Sequence, residues 1–223
     1  MKFNTSLYSA IFSVFILLFT SSLIAKPSIQ KTDFTTQELE ALQGHFSTIY
    51  GYMYIRANGK NVGTKFDNKY FQLVKKTDGH FYPQYKLLRF IPISLGKMSF
   101  KVERTADKTQ IKMFQPNKKN RVVAQKFMPR QIPSVWKKRL GNYQTTVIKG
   151  SSKIKKIRLT VKNGILVAYI NKLSNPYPLI ALSDSHIYSP SAGHNQDQAI
   201  SIKANSQGLQ LNYGNNGLLL KKL

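Results

Sequence analysis

The chain has 223 residues and no cysteine, which excludes a disulfide framework, a lipid-modified cysteine and thiolate metal sites. Lys and Arg number 34 against 9 Asp and Glu, a net charge of +25 that favours anionic partners. So few carboxylates also leave little material for paired acid–base chemistry or a metal shell.

In chain order, Lys2 gives a positive start and Ile11 to Phe19 an apolar run broken only by Ser13, with Ala25 preceding Lys26-Pro27. This pattern predicts a signal peptide over residues 1–25 and export to the periplasm or beyond. The run is shorter than the ~20 residues a spanning helix needs. An uncleaved anchor is the alternative, because Leu23 stands where a small residue is preferred. Residues 26–34 show no periodicity and are expected to form an extended leader.

A first module is expected over residues 35–128. Thr35 with Glu38 three positions on is a capping box, Leu39 and Leu42 form an apolar stripe, and Gly44 suits a left-handed position past the helix end. Eight short segments of strand character follow: 45–49, 52–57, 61–66, 70–75, 81–88, 98–104, 110–115 and 121–127. Met98, Phe100 and Val102 alternate with Ser99, Lys101 and Glu103, the period-2 signature of a strand with one wet face. A linker over 129–133 carries two prolines that interrupt strand pairing.

The second module, 134–223, repeats the first. Ser134 is positioned to cap a short helix containing Val135, Trp136 and Leu140, and Gly141 ends it. Leu39, Gly44, Phe46, Asn58-Gly59, the strand Tyr70 to Leu73 and Asp78-Gly79 recur in order as Trp136, Gly141, Tyr143, Asn163-Gly164, the strand Tyr177 to Ile180 and Asp184-Ser185. From the first glycine to the Asn-Gly turn the interval is 58 − 44 = 14 residues in one copy and 163 − 141 = 22 in the other. The second copy therefore carries an insertion of 22 − 14 = 8 residues, rich in Lys, Gly and Ser. The turns Asn163-Gly164, Asn205 to Gly208 and Gly214 to Gly217 are hairpin chemistry, and connections this short force antiparallel neighbours. The expected fold is all-β, with two tandem lipocalin-like antiparallel barrels, each preceded by a short capped helix. A membrane barrel is a poor fit, because the strands are shorter than the ~9 to 11 residues needed to cross a bilayer.

The run from Tyr70-Phe71-Gln72-Leu73 through Asp78-Gly79 and Tyr85 to Leu88, to Ile91-Pro92-Ile93-Ser94-Leu95-Gly96, resembles the C-terminal extension of β-lactamase-related, penicillin-binding-protein-like serine hydrolases. Ile132 to Trp136 with Leu140 to Tyr143 is similar to the start of that extension's second half. The resemblance implies a lipocalin-like accessory region rather than the hydrolase. S-x-x-K strings occur at Ser28/Lys31, Ser94/Lys97, Ser134/Lys137 and Ser152/Lys155, as expected by chance in a chain rich in both residues. No Lys-Thr-Gly or His-x-Gly accompanies them, and the family's catalytic platform is missing. His45, His80, His186 and His194 show no metal-ligand spacing.

No enzyme activity, cofactor or metal is therefore expected, and catalytic residues are assigned to none. Two features are candidates for binding. Tyr52, Tyr54, Tyr70, Phe81, Tyr85 and Phe90, within an aromatic cluster of the first module, are candidates to line an apolar pocket inside a barrel. Lys153, Lys155, Lys156 and Arg158, in and beside the insertion, form a basic ribbon suited to lipid phosphates or an acidic polymer. The expected function is an exported, non-catalytic protein that binds a small apolar ligand or an envelope component. Alternatives are an accessory acting in trans on a serine hydrolase, and a cationic binder of anionic lipid, polysaccharide or host surface; nucleic acid is not the expected partner.

Overall fold

The computed structural model describes residues 30–48, 50–66, 69–87, 91–94, 98–171, 175–190 and 200–223. The expected signal peptide and residues 26–29 of the leader lie outside these residues. The leader's last residues, however, belong to the first module. Thr32 donates its amide to the Lys75 carbonyl at 3.1 Å, Phe34 packs on the first core, and Asp33 pairs with Lys60. Phe34 supplies the apolar reason, since its ring sits 6.4 Å from that of Phe81.

The capping box forms as the sequence predicts. The Thr35 hydroxyl accepts from the Glu38 amide and the Glu38 carboxylate from the Thr35 amide, opening α1 (Thr36–Leu42). The second helix, α2 (Ser134–Lys138), differs: its cap is Pro133, and Ser134 is already the first helical residue with no side-chain cap. Pro133 still serves the helix end, because its carbonyl accepts from the amides of both Trp136 and Lys137. Both helices lie against barrel cores, burying Ala41 and Leu42 in one case and Trp136 in the other.

In the first module the strands are β1 (Gly44–Thr48), β2 (Gly51–Asn58), β3 (Asn61–Phe66), β4 (Lys69–Lys75), β5 (Phe81–Leu87), β6 (Ile91–Ser94), β7 (Ser99–Arg104), β8 (Thr109–Phe114) and β9 (Arg121–Phe127). Neighbours run antiparallel from β1 to β5, and from β7 through β9 back to β1. Pairing of Phe81 with Phe100 joins β5 to β7 and closes an eight-stranded barrel. β6 is the first-module strand that the eight expected segments omit. It lies beside the later half of β5, and its Ile-Pro-Ile-Ser offers only four residues of pattern.

The second module is β10 (Gly141–Lys149), β11 (Lys156–Lys162), β12 (Ile165–Ile170), β13 (Tyr177–Ser183), β14 (His186–Tyr188), β15 (Ile200–Asn205), β16 (Gly208–Tyr213) and β17 (Asn216–Lys222). Each strand pairs with the next and β17 with β10, a closed up-and-down barrel. The chain thus has the expected architecture of two tandem closed antiparallel barrels. The repeat is structural as well: Asn58-Gly59 and Asn163-Gly164 both turn the second strand into the third, and Asp78-Gly79 and Asp184-Ser185 both lie between the fourth and fifth.

Fifteen buried residues fill the second barrel, among them Trp136, Ile157, Leu159, Leu166, Leu179, Ile187, Ile202, Leu211 and Leu218. Branched aliphatic side chains at alternate positions do this because a barrel of eight strands leaves an interior about one layer of side chains wide. The first core is Leu42, Phe46, Ile55, Val62, Leu73, Phe81, Ile111 and Ala124. A third cluster belongs to neither interior: Tyr52 and Phe127 of the first barrel meet Ile165, Val167 and Ile180 of the second. This cluster is the seam that joins the barrels.

Candidate functional site

The seam follows from side-chain alternation. On β2, Met53, Ile55 and Ala57 turn into the first core, so Tyr52, Tyr54 and Arg56 stand on the outer wall. On β12, Leu166, Ala168 and Ile170 turn inward, which puts Ile165, Val167 and Tyr169 outside. Joining these two outer faces buries Tyr52 to 4% exposure and Val167 completely.

Two hydrogen bonds fix the docking. The Tyr52 amide donates to the Pro176 carbonyl at 2.7 Å, and the Asn163 side-chain amide donates to the Tyr52 hydroxyl at 3.2 Å. The approach needs glycine at position 51, whose φ is +115° and where a β-carbon would stand 2.7 Å from the Pro176 carbonyl oxygen. Behind Tyr52, the His45 Nδ1 is 3.0 Å from the same hydroxyl, and the His45 ring packs on Tyr54 and Phe127. Burial holds the His45 imidazole below its ordinary pKa. Burial likewise pushes the Tyr52 phenol up, against the bond from Asn163.

Beside the seam the barrels enclose a groove of about 310 Å³. The first barrel contributes Tyr52, Tyr54 and Arg56 from β2, Gly63 and Lys65 from β3, and Tyr70 from β4; the second contributes Lys162 at the end of β11, Asn163 in its turn, and Asn175. No carboxylate is among the described lining residues. Tyr70 lies over Gly63, so close that a β-carbon there would fall 2.1 Å from its hydroxyl oxygen. The glycine lets the ring settle on the sheet while Tyr70 stays 54% exposed. The Arg56 guanidinium stands 5.6 Å from the Tyr54 ring centroid, which orients it along the wall. Among the described residues the ion pairs are Lys60–Asp33, Lys75–Glu38 and Lys112–Glu103, so none neutralises Arg56, Lys65 or Lys162.

The aromatic residues singled out in the sequence do not converge on a barrel interior. Tyr52, Tyr54 and Tyr70 line the groove outside the first barrel. Phe81 belongs to the core, and Tyr85 faces Phe71 across the β4–β5 pair with ring centroids 6.0 Å apart. Phe90 lies outside the described residues. The alternation of β2 is the reason, because Tyr52 and Tyr54 share a parity and the core residues take the other. Arg56, Lys65, Lys162 and Asn163 are among the lining residues that sequence reasoning missed. A signal existed in β12, whose Ile165 to Ile170 run is continuously apolar, as in a strand covered on both faces.

Lys153, Lys155, Lys156 and Arg158 are all exposed. The insertion that carries the first two is fixed by Asn171, whose Oδ1 accepts from the amides of Lys155 and Lys156 while its Nδ2 donates to the Lys153 carbonyl. Arg158 stands over the Tyr169 ring at 4.5 Å. Of the serine–lysine strings, Ser134 and Lys137 lie exposed on α2, and the Ser152 hydroxyl accepts from the Ile154 amide. Among the described residues no three His, Asp or Glu side chains gather around a point that could hold a metal ion. Comparison with protein-family models, with curated proteins and with solved structures finds no match to this chain.

Proposed function

We propose that this chain is a non-catalytic binding protein whose ligand is anionic and sits in the groove between the two barrels. The observation that carries the reading is the convergence of Arg56, Lys65 and Lys162 on a tyrosine-walled groove with no carboxylate among its described lining residues. Unneutralised cations in a recess flanked by low-dielectric walls focus a positive field, which concentrates anions and speeds their association. The cations come from both barrels, so the site exists only when the two are docked. That is a use for a docked tandem which one barrel would not serve. The aliphatic filling of the second barrel directs the ligand to the outside of that module.

A compact polyanionic carbohydrate, sucrose octasulfate, tests the reading by calorimetric titration of the purified protein. Binding is expected to weaken steeply with salt and to fall sharply in Arg56→Gln and Lys162→Gln. Lys118→Gln, in the β8–β9 turn outside the groove, should bind as the parent chain does. Equal binding by all three variants would overturn the proposed site. Turnover of a chromogenic β-lactam or a small ester, abolished by Ser134→Ala or Ser152→Ala, would overturn the non-catalytic part.

A further inference from the structure

We infer that the ligand is a linear acidic polysaccharide, and that it leaves the groove along the outer face of β11, an inference that rests on the groove being the binding site. Ile157 and Leu159 of this strand belong to the second core, so Lys156, Arg158 and Lys162 share the opposite face. Lys162 is itself part of the groove lining. The cationic row is therefore continuous with the groove, and with a rise of about 3.3 Å per residue it extends roughly 20 Å from Lys162 to Lys156. A small anion would use one end of such a row; a chain of repeating charges uses all of it.

The row is held in place by contacts of its own. Asn171, in the left-handed conformation with φ +53°, grips the backbone of Lys155 and Lys156. Tyr169, the partner of Arg158 across the β11–β12 ladder, supports the guanidinium from beneath. Cations fixed in this way lose less freedom on binding than lysines on a mobile loop.

The same geometry decides among polyanions. Single-stranded nucleic acid is usually held by several rings on which successive bases stack. Here Tyr52 is 4% exposed and Tyr54 is packed between His45 and Arg56, which leaves Tyr70 as the groove tyrosine with a broad free surface. One aromatic platform beside spaced cations and the side-chain amide of Asn163 suits a chain of uronate sugars. A pyranose ring can rest its C–H face on Tyr70 while carboxylates meet Lys and Arg and hydroxyls meet the amide.

The test is a length series of oligouronates, from two to eight sugars, titrated into the purified protein at fixed ionic strength. Affinity should rise with length until the chain spans groove and row, then level off. Lys156→Gln combined with Arg158→Gln should weaken the octamer about tenfold and leave the dimer unchanged. Lys162→Gln should weaken every length. Affinity independent of length, with no effect of the paired substitution, would overturn the extended path while leaving the groove intact. Tighter binding of single-stranded DNA or of phosphatidylglycerol vesicles at matched charge would overturn the polysaccharide assignment. Failure of every oligouronate to bind, with sucrose octasulfate still bound at the groove, would do the same.

Discussion

Lys126 lies across Gly44: its Cε is 3.1 Å from where a β-carbon on that glycine would stand, and its Nζ donates to the carbonyls of Glu40 at 2.6 Å and Ala41 at 3.2 Å. A lysine on the last strand of the barrel thus reaches over the first residue of its first strand to satisfy the end of the preceding helix. The second copy does the same, with Lys222 over Gly141 and bonded to the Lys138 carbonyl at 3.3 Å. Helix ends leave carbonyls without intrahelical partners, and a cation there also opposes the helix dipole.

Removing the lysine and filling the glycine should therefore act on the same contact by different routes. Lys126→Met is expected to cost about 1 kcal/mol for the lost carbonyl bonds. Gly44→Ala should cost more, roughly 1–3 kcal/mol, because φ is +129° and the new methyl displaces Lys126. The double variant should cost less than the sum of the two, since each change removes the same cap. Urea midpoints of the four proteins check this, and full additivity would contradict a shared contact.

Trp136 is the single tryptophan of the chain and is fully buried in the second barrel, with its Nε1 donating to the Ser183 carbonyl at 2.8 Å. Its native emission should be blue-shifted and should move to the red when the second barrel opens. Trp136→Ala is expected to destabilise by about 3–5 kcal/mol, as large-to-small changes in packed cores do. Circular dichroism through a urea titration gives the measurement, and a cost near zero would mean that the helix does not plug the barrel.

Acid should weaken the fold in two stages. Burial depresses the His45 pKa from its ordinary 6.5, so below pH 6.5 the unfolded chain binds a proton that the native chain does not. Stability from this group is complete above pH 6.5 and is lost as pH falls toward the native pKa. Glu38 acts lower down. Burial raises its pKa, but the Lys75 bond at 2.7 Å, with those from Thr35, outweighs burial and leaves the carboxyl below 4.5. Its contribution is complete above pH 4.5 and is lost as pH falls further. Urea midpoints against pH should flatten just below 6.5 in His45→Gln and below 4.5 in Glu38→Gln; a parent-like slope in either variant would reassign that stage.

The strands and turns were legible because alternation and Asn-Gly chemistry are local. The predicted segment 61–66 coincides with β3, and 121–127 with β9. The duplicated order was legible for the same reason. What periodicity does not reveal is which wet face meets another module. Tyr52 and Tyr54 read as barrel lining because aromatic residues usually fill cores, yet their parity with Arg56 places them outside. The groove unites Arg56 with Lys162, 106 residues apart (162 − 56), through a docking that no local pattern encodes. Lys126 over Gly44 was hidden likewise, since it spans the whole first module.

Adjacent residues of β12 separate the two roles of that strand. Leu166 faces the second core and Val167 faces the seam, and both are buried. A lysine at 166 would place an unpaired charge inside the barrel, which the fold does not tolerate, so Leu166→Lys should shift Trp136 emission to the red. A lysine at 167 can escape its penalty if the barrels part, because the outer face of β12 then meets water. Val167→Lys should therefore keep the blue-shifted emission, enlarge the hydrodynamic radius and abolish anion binding, since Arg56 and Lys162 no longer face one recess. The pair distinguishes docking from folding. If Val167→Lys instead unfolds the second barrel, that barrel depends on its neighbour for stability; if it binds sucrose octasulfate as the parent does, the groove is not the site.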